Sequence, residues 1–378
     1  MNIAGIIAEY NPLHSGHLYL LQQARKQCDA QYVVCVMSAS FVQRGQPAMF
    51  DKFVRTAAAL AAGADMVLEL PCAYSLQAAP FFARGAVKTL AASGLATHLV
   101  FGAERPEALL TCAAEPERFR SQMDSGACYA RAACADTPAL SHPNSLLGIE
   151  YLRALAEIES GIKAVAVERI GAAHGSEGEE NAFFSASAVR GLFVCGKREE
   201  AFAALPAESA EALRGAPFCL PESAFVPLLC RLRMHSAQQL RNFAGMSEGI
   251  EYRVRSAAEQ ARSLEELILS IKSKRYTYAR ISRMLMSVFI GLTAEETALA
   301  NEAPPYVRVL GVRKESKELL SLLCKRSSVP VVTCVQDFLQ TVPEGLLQRE
   351  LYATDIRAAL CMPPQNACAD KTAGLIIV

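Results

Sequence analysis

Asn2-Ile3-Ala4-Gly5-Ile6-Ile7-Ala8-Glu9-Tyr10-Asn11-Pro12-Leu13-His14-Ser15-Gly16-His17 is the stretch whose reading decides the fold. Residues 2–8 form a short, nearly continuous apolar run, the pattern of a strand buried on both faces. Residues 16–26 then follow helical periodicity. Two histidines three residues apart stand where the strand hands over to the helix. A helix N-terminus carries unpaired amides and the positive end of the macrodipole, which makes it a phosphate site. His14 and His17 can both donate to the same phosphate oxygens and stabilise charge that builds during displacement at phosphorus. Gly16 removes a side chain where a nucleotide would approach the backbone, and Glu9 and Asn11 add polar groups at the strand end. The plain alternative is a pair of surface histidines at a helix start. The buried strand before them, the Asn-Pro turn and the place in a first βα unit weigh against it.

Outward from this junction the alternation continues. Strands are predicted over residues 31–37, 66–70, 97–101 and 163–170, and helices over 53–63, 77–92 and 144–158, with a further helix opened by Ser187. Such a pattern predicts an α/β fold with a doubly wound parallel sheet, with ligands beyond the carboxyl ends of the strands. Near residue 200 the pattern becomes helical. After Pro304-Pro305, strands at 306–312, 329–335 and 374–378 and a helix at 314–325 predict a small α/β unit. The expected organisation is therefore 1–198 for the nucleotide-binding catalytic domain, 199–303 for a helical, locally basic region, and 304–378 for the C-terminal unit.

The 378 residues carry 38 Lys/Arg and 38 Asp/Glu, so no global field draws the protein to nucleic acid or membrane, and any such attraction is local. No apolar run reaches the ~18 residues of a spanning helix. No secretory signal is apparent, and a cytoplasmic location is expected. The 13 cysteines are scattered without a CxxC pair, as expected of thiols in a reducing compartment, and no metal-cysteine site is expected.

His14-Ser15-Gly16-His17 resembles the HxGH nucleotidyltransferase superfamily, whose members transfer nucleotidyl groups from nucleoside triphosphates. A second mark of that superfamily is a Ser-rich turn leading to a basic residue. Ser185-Ala186-Ser187-Ala188-Val189-Arg190 is similar to it, with Ser187 expected to cap a helix and meet phosphate and Arg190 to neutralise the leaving pyrophosphate. The plain reading is an ordinary serine cap with a solvated arginine.

A narrower match follows from AEYNPLHSGHLYLLQQA (8–24), SFVQRGQPAMFDKFVRTAAALAAGADMVLELP (40–71), HLVFGAE (98–104), PNSLLGIEYLRAL (143–155), VERIGAAHGS (167–176), SASAVRGLF (185–193), EGIEYRV (248–254), SKRYTYARISRML (273–285) and PPYVRVLGV (304–312). In this order they resemble the tRNA(Met) cytidine acetate ligase family along nearly the whole chain. The resemblance implies ATP as substrate, accompanied by Mg²⁺, with acetate and elongator tRNA(Met) as the other partners and no membrane. Acetate is adenylated, and the N4 amine of the wobble cytidine then takes the acetyl group. A cytosine amine is a weak nucleophile and needs an activated acyl donor, and an anticodon-loop base is open enough to enter a pocket. By motif position the ATP-binding segment is Ile7 to Leu20, including Leu18 and Tyr19, joined by Gly102, Asn144 and Arg169. Singly these last three read as a turn glycine, a helix cap and a surface arginine. Arg44, after the second strand, either meets phosphate or is solvated. Asp51, Lys52 and Arg55 open the next helix and carry less weight.

Residues 231–283 hold eleven Lys/Arg against five Asp/Glu. The densest piece, Lys272-Ser273-Lys274-Arg275-Tyr276-Thr277-Tyr278, interleaves cations with aromatic rings, a pattern for phosphates and unpaired bases. Composition alone favours a solvated helical face, and the resemblance favours tRNA contact. Two departures from the family pattern stand out: Ser40, where an acidic or amide residue is typical, and Gly175-Ser176. Rival readings are an adenylyltransferase for a phosphorylated metabolite and a catalytically silent RNA-binding protein.

Overall fold

The computed structural model describes residues 1–107, 109, 143–169, 184–339 and 345–378. Strand β1 (Ile3–Ala8) leads into helix α1 (Ser15–Cys28), then β2 (Tyr32–Ser38), a tight hairpin of β3 (Phe41–Val42) and β4 (Gln46–Pro47), helix α2 (Lys52–Ala61) and β5 (Met66–Leu70). Helix α3 (Ala79–Ser93), β6 (His98–Ala103), α4 (Pro143–Ile158), β7 (Lys163–Glu168) and α5 (Ala186–Val194) complete the predicted alternation. The strand expected over residues 163–170 ends at Glu168, and Gly175-Ser176 lies outside the described residues.

β1 is central because it is apolar on both faces. It pairs in parallel with β2 on one side and β6 on the other. Strand order reverses across the β1–β6 pair, which opens a crevice at their carboxyl ends. α1 covers one face, with Leu21, Ala24 and Cys28 packed on Ile6 and Val100. α3 and α4 cover the other, against Val34, Leu68, Leu99 and Phe101.

Helices dominate residues 199–303, among them α6 (Phe225–Met234), α7 (Ile250–Gln260), α8 (Leu264–Ile271) and α9 (Tyr278–Ile290). The last segment behaves differently from a separate small unit. Strand β8 (Val307–Val312) pairs antiparallel with β5, and after α10 (Glu318–Arg326) the short β9 (Val331–Val332) joins β8. Helix α11 (Leu346–Ala359) and β10 (Ile376–Ile377) follow, β10 also pairing with β8. The C-terminal strands thus extend the main sheet, making it mostly parallel with one antiparallel junction. The strand expected over 329–335 shrinks to two residues, which pair with Val307 and Arg308 at the start of β8.

Candidate active site

The two histidines sit at the N-terminus of α1, beside the crevice. His14 is the N-cap; its Nδ1 accepts from Gly16 N (3.1 Å), and its own backbone N–H donates to Nδ1 of His17 (3.3 Å). With both Nδ1 atoms accepting, each neutral ring carries its proton on Nε2, as a donor free for a ligand. The rings stack at 3.8 Å between centroids, tilted by 30°. Burial holds both below the ordinary histidine range, His14 at about 4, with Arg169 and Arg190 adding to the effect on His14, and His14 and Arg169 on His17. The pair is therefore neutral at pH 7 and can offer two N–H donors to an anion.

The rest of the segment is the frame. A Cβ on Gly16 would lie 3.0 Å from Cε1 of His14, so glycine lets that imidazole fold over the helix start. Ile7 and Ala8 belong to the cores on the two sides of the sheet. Tyr10 and Leu13 are buried and Leu18, Tyr19 and Leu20 pack on the α1-side core, leaving Ser15 at the helix start as a partly open residue. Tyr10 meets His17 edge-on at 5.1 Å, and the Asn11–Pro12 bond is cis. Asn11 is spent on structure: Oδ1 accepts from Met49 N (2.8 Å) and its carbonyl from Arg190 (2.7 Å). Glu9 Oε1 accepts from Gln43 N (2.7 Å). Burial raises the Glu9 carboxyl against the opposing pull of that amide and of Arg190, Arg44 and Arg55.

Gly102, Asn144 and Arg169 converge, and Glu104 is the reason. Its carboxylate accepts from Asn144 Nδ2 (2.8 Å) and Ser145 Oγ (2.6 Å), and Arg169 Nε stands 3.9 Å away. Burial opposes its charge, but the Asn144 and Ser145 bonds prevail and hold it below the usual carboxylate range. The Arg169 stem crosses Gly102, where a Cβ would meet Cγ at 3.2 Å. Glu104 closes the run HLVFGAE (98–104). Its signal was a carboxylate one residue past a strand, facing the Asn-Ser pair of a helix start.

Ser187 is corrected. Ser185, extended at φ −75° and ψ 155°, is the N-cap and accepts from Ala188 N (3.2 Å), while Ser187 lies exposed in the first turn of α5. Its hydroxyl is not the cap and lines a cleft of about 220 Å³ with Arg44, Met49, Arg190, Val194 and Pro221. Arg55 is 1% exposed and donates to the carbonyls of Phe50, Glu9, Ser38 and Ala39, tying the carboxyl ends of β1 and β2 together. Ser40 is buried on Thr354 of α11 (3.0 Å), away from the histidines' hydrogen bonds.

In the basic segment, Lys272 and Lys274 are exposed and Arg275 pairs with Glu248 (2.7 Å). Tyr276 does not offer a stacking ring. It is 7% exposed, its hydroxyl bonds Ser247 O and Glu248, and Arg280 covers its face at 4.2 Å. Tyr278 is the more open ring, at 38%. Among the described residues, no helix is long and apolar enough to cross a membrane.

The family model described as HIGH Nucleotidyl Transferase matches residues 1–372. The tRNA(Met) cytidine acetate ligase of Acetivibrio thermocellus is 36% identical over all of both chains. That of Listeria monocytogenes serovar 1/2a is 37% identical over 94% of each. The crystal structure of Thermotoga maritima TmcAL bound with alpha-thio ATP superposes with a TM-score of 0.87 at 30% identity, covering both chains completely. A strand-end HxGH pair on a doubly wound sheet, matched from end to end, places this chain in the HIGH nucleotidyltransferases and, within them, in the tRNA(Met) cytidine acetate ligase family.

Proposed function

We propose that this protein uses ATP to ligate acetate to the N4 amine of the wobble cytidine of elongator tRNA(Met), through acetyl-adenylate. A carboxylate oxygen of acetate attacks the α-phosphorus of ATP and pyrophosphate leaves. The cytidine N4 then attacks the acetyl carbonyl, AMP leaves and the amine loses a proton, giving N4-acetylcytidine. The observation that carries this reading is the stacked, neutral His14–His17 pair at the β1–α1 junction, in a chain matched over its whole length by ligases of this name.

His14 and His17 serve as Nε2–H donors to the phosphate where charge develops. Gly102, Asn144 and Arg169, gathered by Glu104, face the adenosine side of the crevice, and Arg190 with Ser187 faces the departing pyrophosphate. Mg²⁺ bound with the triphosphate would supply charge neutralisation at its oxygens. Such an ion needs one or two carboxylates besides phosphate oxygens, and among the described residues no trio of His, Cys, Asp and Glu side chains gathers to cage it. A tRNA substrate supports a cytoplasmic location.

Nucleoside analysis of tRNA(Met) after incubation with the protein, ATP and acetate tests the reading, and unmodified cytidine at the wobble position overturns it. The acid is the second check. One extra methylene is rejected by about 1–3 kcal/mol in a fitted apolar pocket, or roughly 10–200-fold. Propionate is therefore expected to support pyrophosphate exchange weakly but measurably, and equal use of long-chain acids would contradict the acetate assignment.

Lys272, Lys274 and Arg275 are assigned to tRNA phosphates. Their joint replacement by alanine weakens tRNA binding and flattens its salt dependence by up to about three contacts. The Glu248 pairing makes Arg275 the weakest contributor of the three. Acetyl-adenylate formation without tRNA continues in the same variant. Filter binding at several salt concentrations beside pyrophosphate exchange separates these effects.

A further inference from the structure

The basic segment and the histidine pair are joined by a hairpin whose part in the reaction the sequence leaves open. Its tip, Gly45, sits at φ 77° against the second turn of α9, at Ser282 and Arg283. A Cβ there would come within 2.4 Å of Arg283 N, so glycine allows direct seating of the hairpin on the helix. Arg283 Nη1 donates to Gln43 O (3.2 Å), locking the two together. On the outer side, Arg280 lies one helical turn before Arg283 on α9 and close enough to disfavour its charge. On the inner side, Arg44 shares the 220 Å³ cleft with Arg190 and presses on its charge, and Arg190 in turn bears on His14.

These four arginines differ from their neighbours in having no carboxylate at ion-pair distance. Arg169, Arg241 and Arg275 have Glu104, Glu251 and Glu248. Among the described residues, no carboxylate oxygen lies within 4.0 Å of Arg44, Arg190, Arg280 or Arg283. Glu9 faces Arg44 and Arg190 from further off, with one oxygen committed to Gln43 N. Arg190 and Arg283 are also partly buried, and burial lowers both from the ordinary arginine range, Arg283 to about 10. Cations withdrawn from water without a paired anion are costly. A row of them ending beside a phosphate-handling site calls for a polyanion that arrives with the substrate. A single-stranded RNA backbone carries its charges in series, whereas acetate and AMP carry too few charges to meet every member of the row.

We propose that Arg280, Arg283 and Arg44 form a phosphate track that carries the anticodon-loop backbone from the basic segment to the cleft at Arg190. This rests on the tRNA acetylation reading above and deepens it, naming the path of the RNA. The track positions the acceptor strand and takes no part in adenylation. Phosphate contacts set register, and the base that enters the active site is set by where the backbone is held.

The test is the Arg44→Ala/Arg280→Ala double variant beside Arg44→Lys/Arg280→Lys, since Arg44 is exposed and Arg280 half-buried. The alanine pair is expected to bind tRNA(Met) at least tenfold more weakly. Its plot of log affinity against log salt should be shallower by about 1.4, at roughly 0.7 for each single-strand phosphate contact. The lysine pair keeps the slope. Acetate-dependent pyrophosphate exchange, which needs no tRNA, is followed in Arg280→Ala alone, whose side chain does not line the Arg190 cleft, and is expected to remain there. Unchanged affinity and slope in the alanine pair overturn the track. So does an equal loss of pyrophosphate exchange in Arg280→Ala, which would tie Arg280 to adenylation instead. Wild-type protein run in parallel keeps the two readings apart. If it makes N4-acetylcytidine while the alanine pair binds normally, the track alone fails. If it leaves every tRNA unmodified, the acetylation reading fails and the track falls with it.

Discussion

His17→Ala slows acetyl-adenylate formation by about 10²–10³-fold, the loss typical of removing one transition-state donor, while ATP affinity changes far less. The asymmetry follows from the ring's connections. Nδ1 of His17 is engaged by the His14 backbone N–H, which leaves Nε2–H as the donor in the role proposed for this ring. In ground-state ATP that donor would meet an oxygen that is already solvated. In the transition state it meets growing charge with no reorganisation to make. Alanine also frees one N–H at the helix start, which costs about 1 kcal/mol in capping, so a melting curve is needed to show a folded variant. A second consequence concerns pH. Burial keeps His14 near 4 and His17 well below 6.5, so protonation of the free enzyme's pair begins only in strongly acidic solution. The kcat/KM for ATP, which reports free-enzyme groups, should show no histidine-like fall between pH 8 and 6. Wild-type rates in His17→Ala, or a midpoint near 6.5 in the wild-type profile that this variant lacks, would contradict the assigned roles.

The nucleotide-binding half was legible because its elements are long and its signals local. β1 is apolar over its whole length, α1 follows a capping histidine, and β5 appears at the bounds its residues predict. What escaped the sequence is long-range or short. The β3–β4 hairpin has two-residue strands, below the length at which alternation can be read, yet it carries Arg44 and seats α9. β8 reads correctly as a strand, but nothing local says that its neighbour is β5 or that the pair runs antiparallel. Within the site, residue types were read better than their partners. Asn144 and Arg169 were placed together by motif, and Glu104, the carboxylate that holds them, was passed over. Ser187 drew attention that belonged, for capping, to Ser185. Tyr276 looked like an RNA-stacking ring because its spacing among cations is visible, and its burial depends on Ser247 and Glu248 of a distant turn.

Lys52 illustrates the same limit and leads to the largest expected loss of stability. It opens a helix, and nothing local marks its ammonium as fully buried, 2.7 Å from both Glu69 and Asp370 and 4.0 Å from Glu350. Arg308 completes the group, at 3.2 Å from Glu69 and 2.6 Å from Asp370. The cluster joins α2 and β5 to β8, α11 and the short helix Ala369–Thr372, so it fastens the C-terminal segment to the catalytic sheet. Burial works against the Lys52 charge, but Asp370, Glu69 and Glu350 together hold its pKa above the ordinary lysine value. Lys52→Met keeps the stem and leaves three carboxylates facing one arginine. Breaking a buried pair in this way costs about 3–5 kcal/mol, read as a fall in melting temperature. Glu350 gives the control. Burial and the nearby Glu69 push its carboxyl up from 4.5 to about 7. A raised folded value means that its contribution is complete below about pH 4.5 and is lost as pH rises through 7. Glu350→Gln removes that loss while its side-chain oxygen can still accept from Cys72 N, where the carboxylate now accepts at 2.7 Å. The variant should therefore melt higher than wild type at pH 8 and close to it at pH 5, and in the Lys52→Met background it should recover part of the deficit. A Lys52→Met protein as stable as wild type, or a Glu350→Gln shift that is the same at both pH values, would show that the cluster does not govern the docking of the C-terminal segment.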